Sequence, residues 1–192
     1  MELKDITLGF ALTGSFCTIE KIIPQIEHLS KCTKSVVPIF SPVVYNTDTR
    51  FTNAKALAEQ IESITGNKIV KTIPEAEPIG PKKIIDALVI APCTGNTASK
   101  IANGITDTSV TMAAKASLRN KIPVVIAIST NDGLSGSAKN IGALLNTKGI
   151  YFVPFGQDDF VKKETSLVSD MSLIKDTLEQ ALSGKQIQPL LV

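Results

Sequence analysis

Apolar runs and helix-like patterns alternate along the whole chain. Continuous apolar runs predict strands at 6–12, 36–40, 85–91, 123–128 and 149–154, with a further short strand at 68–73. Apolar residues at helical spacing predict helices at 15–30, 54–64, 96–103, 108–119, 133–146 and 165–182. Strands that are apolar at successive positions are typical of a parallel sheet that is buried on both faces by helices.

This alternation predicts an α/β fold of three layers, with a mostly parallel, doubly wound, Rossmann-like sheet between two layers of helices. Right-handed crossovers in such a fold place ligands at the carboxyl ends of the strands. We find no internal repeat, no low-complexity segment and no domain boundary, so residues 1–192 are expected to form a single domain.

The composition fits a globular protein and excludes several classes of partner. Hydrophobic residues make up 43% of the chain and charged residues 20%, which is too apolar for a disordered protein. The net charge is +2 with scattered basic residues, whereas nucleic-acid binding needs clustered positive charge. No apolar run approaches the roughly 18 residues of a membrane span, and we predict neither a nucleic-acid nor a membrane partner.

The cysteines and the N-terminus indicate a reducing compartment. Cys17, Cys32 and Cys93 are odd in number and widely spaced, so neither a zinc site nor a disulfide framework is predicted. Charged residues lie close to the first apolar run, unlike the start of a secretory signal. We therefore expect a cytoplasmic protein without a bound metal.

A small polar loop, TGSFC, follows the first predicted strand. Gly14 allows a close backbone approach, and Ser15 is suited to cap the next helix. The N–H groups of Phe16 and Cys17 would then be free to bind an anion. The loop is also compatible with Ser15 acting only as a helix cap.

Similar polar residues follow two other predicted strands. Ser41 ends the strand at 36–40, and Thr94, Asn96 and Thr97 follow the strand at 85–91. Strand, short polar loop and helix N-terminus is an arrangement that α/β proteins use to bind phosphate. The loops together predict a site for an anion or a nucleotide, although a turn with a helix cap would explain each loop separately.

The residues of these loops resemble a known family. The segment APCTGNTASKIANGITDTSV resembles the pattern A-P-x-S-A-N-T-x-x-K-x-x-x-G-x-x-D of the homo-oligomeric flavin-containing cysteine decarboxylases, which are flavoproteins. The resemblance runs from Ile6 to about Val153. It implies a flavoprotein-type fold, FMN or only a phosphate-bearing ligand as cofactor, and a homo-oligomer of one or more trimers. It places the following residues around an FMN phosphate or ribityl chain: Gly14, Ser15, Phe16, Ser41, Thr94, Asn96 and Thr97.

The chain departs from this family at two places. Pro81, Lys82 and Lys83 stand where those decarboxylases have an active-site histidine. Residues 129–134 replace a P-x-M-N-x-x-M-W motif, and the chain has no tryptophan. The only histidine, His28, falls within the first predicted helix, away from the loops. These departures argue against cysteine decarboxylation and leave the catalytic residues unassigned.

A resemblance over the whole length is to a narrower group, the flavoprotein-like subunits of a two-subunit oxidoreductase; it includes TGSFCT, SPVVYNTDTRF and STNDGLSGSAKN. It implies oxidation of a small planar dicarboxylate, with NAD(P) on the partner subunit. Arg50 would bind a carboxylate and Asn131 the polar end of the ligand. Arg50 as an ordinary surface residue, and residues 129–137 as a solvated connection, remain alternatives. So do a non-catalytic subunit that has lost flavin binding and an FMN-dependent decarboxylase.

Overall fold

The computed structural model, which describes residues 2–192, is built around one seven-stranded sheet. The strands are β1 Thr7–Leu12, β2 Ser35–Phe40, β3 Ala87–Cys93, β4 Val124–Thr130, β5 Ile150–Phe152, β6 Phe155–Gln157 and β7 Leu167–Ser169. Both β1 and β3 are buried along almost their whole length, as a strand between two helical layers must be.

The strand order determines where a ligand can bind. Strands β2, β1, β3, β4 and β5 lie side by side and are all parallel. The end of β4 also pairs with β7, in the antiparallel sense, and β7 pairs antiparallel with β6. The chain leaves β1 towards β2 and then returns past β1 to β3. The carboxyl ends of β1 and β3 therefore flank the topological switch point, where open α/β sheets bind their ligands.

Helices cover both faces of the sheet. They are α1 Phe16–Cys32, α2 Pro42–Asn46, α3 Ala54–Thr65, α4 Ile73–Ala76, α5 Gly95–Ala102, α6 Ser109–Arg119, α7 Ala138–Leu145 and α8 Ile174–Leu182. Buried residues of α1, α3 and α8 pack with one set of strand side chains, and those of α4 to α7 pack with the other. In β3, Val89 belongs to the first core and Leu88 to the second. The predicted three-layer, mostly parallel α/β fold is confirmed.

Three predicted elements are wrong or displaced. Residues 68–73 do not form a strand beyond a single bridge between Val70 and Ile39, because the Thr72 capping box starts α4 at Ile73. The helix predicted at 133–146 begins only at Ala138, after a turn on Asp132.

The predicted helix at 165–182 is shortened in the same way. Its first part forms β7, and the Asp170 side chain accepts a hydrogen bond from the Ser172 N–H before α8 begins. Within residues 2–192, no helix has the length and apolar character needed to cross a lipid bilayer.

Candidate functional site

The two polar loops at the switch point are tied together by one buried side chain. Thr13 is 1% exposed, and its hydroxyl donates a hydrogen bond to the carbonyl of Pro92 at 2.7 Å. The same oxygen accepts a hydrogen bond from the backbone N–H of Thr94 at 3.0 Å. The end of β1 is thus fixed to the end of β3 and to the start of α5. Both loops were predicted at the carboxyl ends of their strands, whereas no role was predicted for Thr13.

Two adjoining pockets open at this edge, and Gly14 and Thr94 line both. The α1 pocket, of about 560 Å³, is lined by the N-terminus of α1 and by parts of residues 49–51, 129–131 and 158–168. The α5 pocket, of about 360 Å³, lies between the starts of α2, α5 and α6. A Cβ atom at Gly14 would lie 2.9 Å from the Val43 side chain, so the close approach predicted for this glycine is made to α2.

In the α1 pocket, three hydroxyl groups form a cluster. Ser15 precedes α1 but makes no side-chain cap bond, contrary to the role we predicted for it. Its Oγ lies 2.8 Å from Ser129 Oγ and 3.2 Å from Thr18 Oγ1, and Ser129 is 2.9 Å from Thr18. The Phe16 N–H is in the first turn of α1, where N–H groups have no acceptor within the helix. Donors and acceptors at this site are therefore available to a polar ligand.

One residue that lines the α5 pocket, Ser41, has a buried hydroxyl without a hydrogen-bond partner among the described residues. Ser41 is 6% exposed, and its Oγ makes no hydrogen bond within residues 2–192. Thr94 caps α5 by accepting from the Thr97 N–H at 3.2 Å and donates to the Thr97 hydroxyl at 3.1 Å. Asn96 lines the pocket as an exposed residue of the first turn of α5. The pocket thus offers a helix N-terminus, which suits a phosphate, next to a serine whose hydroxyl is buried and unpartnered among the described residues.

The charges around the two pockets are positive or neutralised. Lys100 lines the α5 pocket, and its Nζ lies 2.7 Å from the Asp107 carboxylate. The hydrogen bond from this ammonium group holds the pKa of Asp107 below its ordinary value. In the α1 pocket, Lys21 and Arg50 make no ion pair within the described part of the chain. The carboxylate of Asp158 is already paired, with Lys163. The electrostatics of the α1 pocket therefore favour an anion.

Arg50 and Asn131, which we predicted to bind substrate, both line the α1 pocket. Both are exposed. The Arg50 guanidinium lies over the Phe51 ring, 4.7 Å from the ring centroid. The backbone carbonyl of Asn131 accepts a hydrogen bond from the Thr165 hydroxyl at 2.7 Å. Stacking on Phe51 holds Arg50 beside the pocket, and the hydrogen bond from Thr165 holds Asn131 there. The N–H donors of Arg50 remain available for a carboxylate.

A network behind the first turn of α5 was not predicted. The Ser137 hydroxyl donates to both carboxylate oxygens of Asp132 at 2.9 Å, and the Thr130 hydroxyl donates to the same carboxylate. A Cβ atom at Gly95 would lie 2.4 Å from Ser137 Oγ and 2.6 Å from Thr130 Oγ1. A side chain at position 95 would therefore displace the hydroxyl groups of this network where α5 packs against the loop. The sequence signal was the polar run 129–137, which does not reveal its contact with Gly95.

The histidine and the cysteines contribute little to the site. His28 is exposed in the second half of α1 and lines neither pocket. Cys17 is exposed at the α1 pocket, whereas Cys93 is buried at the end of β3. Burial raises the pKa of the Cys93 thiol to about 12. Cys93 is thus an uncharged core residue rather than a nucleophile.

We predict that Thr13→Val lowers the free energy of unfolding by about 1–3 kcal/mol, because the Pro92 carbonyl and the Thr94 N–H lose their partner in a buried place. Urea denaturation measures the change. Thr106→Val is the control, since Thr106 is a half-buried threonine in the turn between α5 and α6. Equal stability of the two variants would contradict the bridging role of Thr13.

We predict that the Cys93 thiol lowers stability at alkaline pH. The unfolded thiol ionises near its ordinary value of 9.0, whereas the folded thiol stays protonated up to about pH 12. The unfolded state therefore binds fewer protons between these values, and stability falls by at most about 1.4 kcal/mol per pH unit from this group. Cys93→Ala should show a shallower fall in urea denaturation across this range. Identical slopes for the variant and the wild type would contradict the buried, protonated thiol.

Comparisons with known proteins find relatives that match the whole length of the chain. The B subunit of dipicolinate synthase from Bacillus subtilis (strain 168) is 48% identical over 191 residues, covering 100% of this chain and 96% of that protein. The crystal structure of the B subunit of dipicolinate synthase from Bacillus halodurans C is 46% identical, with a TM-score of 0.91 over 100% of this chain and 98% of that one.

A more distant structure shares the fold. The dodecameric FMN-dependent Ubix-like decarboxylase from Escherichia coli O157:H7 is 19% identical, with a TM-score of 0.62 over 77% of this chain and 79% of that one. The Flavoprotein family model matches residues 1–177. With this match and a full-length relative at 48% identity, the chain belongs to the flavoprotein family.

Proposed function

We propose that this chain acts as a dipicolinate synthase subunit. It takes part, during sporulation, in the oxidation of a dihydrodipicolinate-level precursor to dipicolinate, together with a separate A subunit. The proposal is supported by 48% identity across the full length to the B subunit of a Bacillus dipicolinate synthase. The name of that relative implies a partner subunit, and we expect NAD(P) to be bound there. We further propose that the protein is cytoplasmic, in the mother cell of a spore-forming bacterium.

The unpartnered hydroxyl of Ser41 carries the proposal of a cofactor. A buried hydroxyl without a hydrogen bond is costly, and a phosphate oxygen in the α5 pocket would satisfy it. The same pocket contains the N-terminus of the eight-residue helix α5, where Asn96 is in the first turn and N–H groups have no acceptor within the helix. The residues present therefore fit the phosphate of FMN.

We place the remainder of the ligand across Gly14, which with Thr94 lines both pockets. The ribityl chain would lie against Ser15 and Phe16, near the start of α1. The dicarboxylate substrate would enter the α1 pocket from the side of Arg50 and Asn131. Arg50, stacked on Phe51, is well placed to bind one carboxylate through two parallel hydrogen bonds. Lys21, which also lines this pocket, adds a second positive charge.

A bound flavin would supply an acceptor for the two electrons that leave when a dihydropyridine ring becomes a pyridine ring. The task of this chain is then to hold the substrate beside that acceptor and to exclude water. The hydroxyl cluster of Ser15, Thr18 and Ser129 can hydrogen-bond to polar groups of either ligand. Neither pocket is lined by a histidine, and this favours oxidation over the decarboxylation seen in the wider family.

We also propose a homo-oligomer, formed as a trimer or as several trimers. A relative of the same fold is dodecameric, and the helices α5 and α6 are rich in small residues. Ala98, Ala113 and Ala114 are already buried against the sheet in the single chain, so a partner copy would contact the outer faces of these helices.

We predict that Ser41→Ala weakens FMN binding by about tenfold or more, because a hydrogen bond to a charged phosphate is lost. Riboflavin, which has no phosphate, should bind the variant as it binds the wild type. Isothermal titration of both ligands measures the two effects. The free energy of unfolding should stay the same or rise, since the hydroxyl has no partner in the unliganded protein.

The matched control is Ser117→Ala. Ser117 Oγ is the other buried hydroxyl without a partner within residues 2–192, and Ser117 lines neither the α1 pocket nor the α5 pocket. Its loss should leave FMN affinity unchanged. If Ser41→Ala binds FMN as the wild type does, the phosphate does not lie in the α5 pocket.

We predict that Arg50→Ala raises the KM for the dicarboxylate precursor by at least about tenfold in the enzyme reconstituted with its partner, because the charged hydrogen bonds to one carboxylate are lost. FMN binding should not change. Lys55→Ala is a control at another exposed basic residue, one that faces Glu59 instead of the pocket. An unchanged KM for Arg50→Ala would show that Arg50 is an ordinary surface residue.

A further inference from the structure

A separate cavity lies at the opposite end of the strands from the candidate site, next to the residues at which the parallel strands begin. It has a volume of about 650 Å³ and is bounded by the ends of α6 and α8 and by the residues that lead into β3, β4 and β5. Its walls include the apolar side chains of Ile85, Leu118 and Pro123. It shares no lining residue with the α1 or α5 pocket, so it is a different site from the proposed crevice.

The charges around this cavity are mainly positive. Lys83, Lys121 and Lys148 line it, and none of them makes an ion pair within residues 2–192. The one acidic residue of the lining is Asp86, whose carboxylate accepts a hydrogen bond from the Thr7 N–H at 2.8 Å. Three ammonium groups against one carboxylate leave an excess of positive charge over a partly apolar floor.

Two of these lysines have an unusual backbone conformation. Lys83 has φ 48° and Lys121 has φ 60°, and they are the only residues other than glycine with positive φ among residues 2–192. Each follows a helical turn in the same way. The Lys121 N–H donates a hydrogen bond to the Leu118 carbonyl, and the N–H of the next residue donates to the Ser117 carbonyl. In the same way, the Lys83 N–H donates to the Gly80 carbonyl, and the N–H of the next residue donates to the Ile79 carbonyl. This is the arrangement in which glycine is the usual residue.

The chain uses glycine at comparable helix ends elsewhere. Gly66, Gly104 and Gly184 have φ of 67°, 70° and 74° after α3, α5 and α8. A lysine in the left-handed region is strained by its Cβ atom, whereas glycine is not. Lys83 and Lys121, the two lysines with this strained backbone conformation, line the same cavity. Strain that a common substitution would relieve points to a function for the side chain.

We propose that this cavity binds a small organic anion with at least two negative charges and an apolar body. The ammonium groups of Lys83 and Lys121, with Lys148, bind the charged groups, and the apolar walls cover the body of the ligand. A cavity of this size, lined by apolar side chains with a few charged groups at its edge, is typical of a small-molecule site. The proposal does not depend on flavin binding at the crevice.

Pyridine-2,6-dicarboxylate, a planar dianion, is the first probe, and isothermal titration measures its binding to the full chain. The test variant is Lys83→Asn with Lys121→Asn, because asparagine tolerates positive φ and carries no charge. We expect saturable binding to the wild type and a loss of at least about tenfold in affinity in this variant, with no fall in melting temperature. Lys83→Arg with Lys121→Arg keeps the charges and should keep binding.

Lys31→Ala with Lys139→Ala removes the same charge from α1 and α7, away from the lining of the cavity, and should bind the probe as the wild type does. Binding in the α1 pocket is weakened separately by Arg50→Ala. Inorganic phosphate tests the apolar walls and should bind at least about tenfold more weakly than the dicarboxylate. The proposal is overturned if the Arg50→Ala protein binds no dicarboxylate, if the asparagine variant keeps full affinity, or if phosphate binds equally well.

Discussion

The hydrogen bonds of the Thr13 hydroxyl hold the two halves of the candidate site in place. One oxygen atom donates to the carbonyl at the end of β3 and accepts from the N–H that leads into α5. Because both partners are backbone groups, the bridge fixes the positions of two loops rather than of single side chains. Gly14 and Thr94, which lie next to these bonds, line both the α1 and the α5 pocket.

The two pockets differ in charge and in burial, and this difference suits them to different parts of the ligands. The α5 pocket is lined by a helix N-terminus and by Ser41, whose buried hydroxyl is unpartnered among residues 2–192, and its one lysine is already paired with Asp107. The α1 pocket is larger, and its cations at Lys21 and Arg50 make no ion pair with any other residue that the structure describes. A ligand with a phosphate at one end and a separate dicarboxylate would use both kinds of surface. This division is the physical basis of the proposed function.

The sequence predicted the sheet, the switch-point loops and most of the candidate residues, because continuous apolar runs and polar loops are local signals. Ser41, Thr94 and Thr97 were predicted as polar residues at the carboxyl ends of strands for this reason, and all three line the α5 pocket. Two features were not predicted because they join residues that are far apart in the sequence. Thr13 is separated from its two partners by 79 and 81 positions, and Gly95 is separated from Ser137 by about 40. Residues 165–173 were predicted as the start of a helix because β7, the strand that they contain, is only three residues long.

The central claim is that the crevice at the carboxyl ends of β1 and β3 binds FMN. The most direct measurement is the absorbance spectrum of the purified chain, recorded through the near-ultraviolet and visible range after incubation with FMN and removal of free ligand. The account predicts flavin bands that remain with the protein and are shifted from those of free FMN. A colourless protein after saturation with FMN would contradict it, and would favour a supporting subunit that keeps the fold without the flavin.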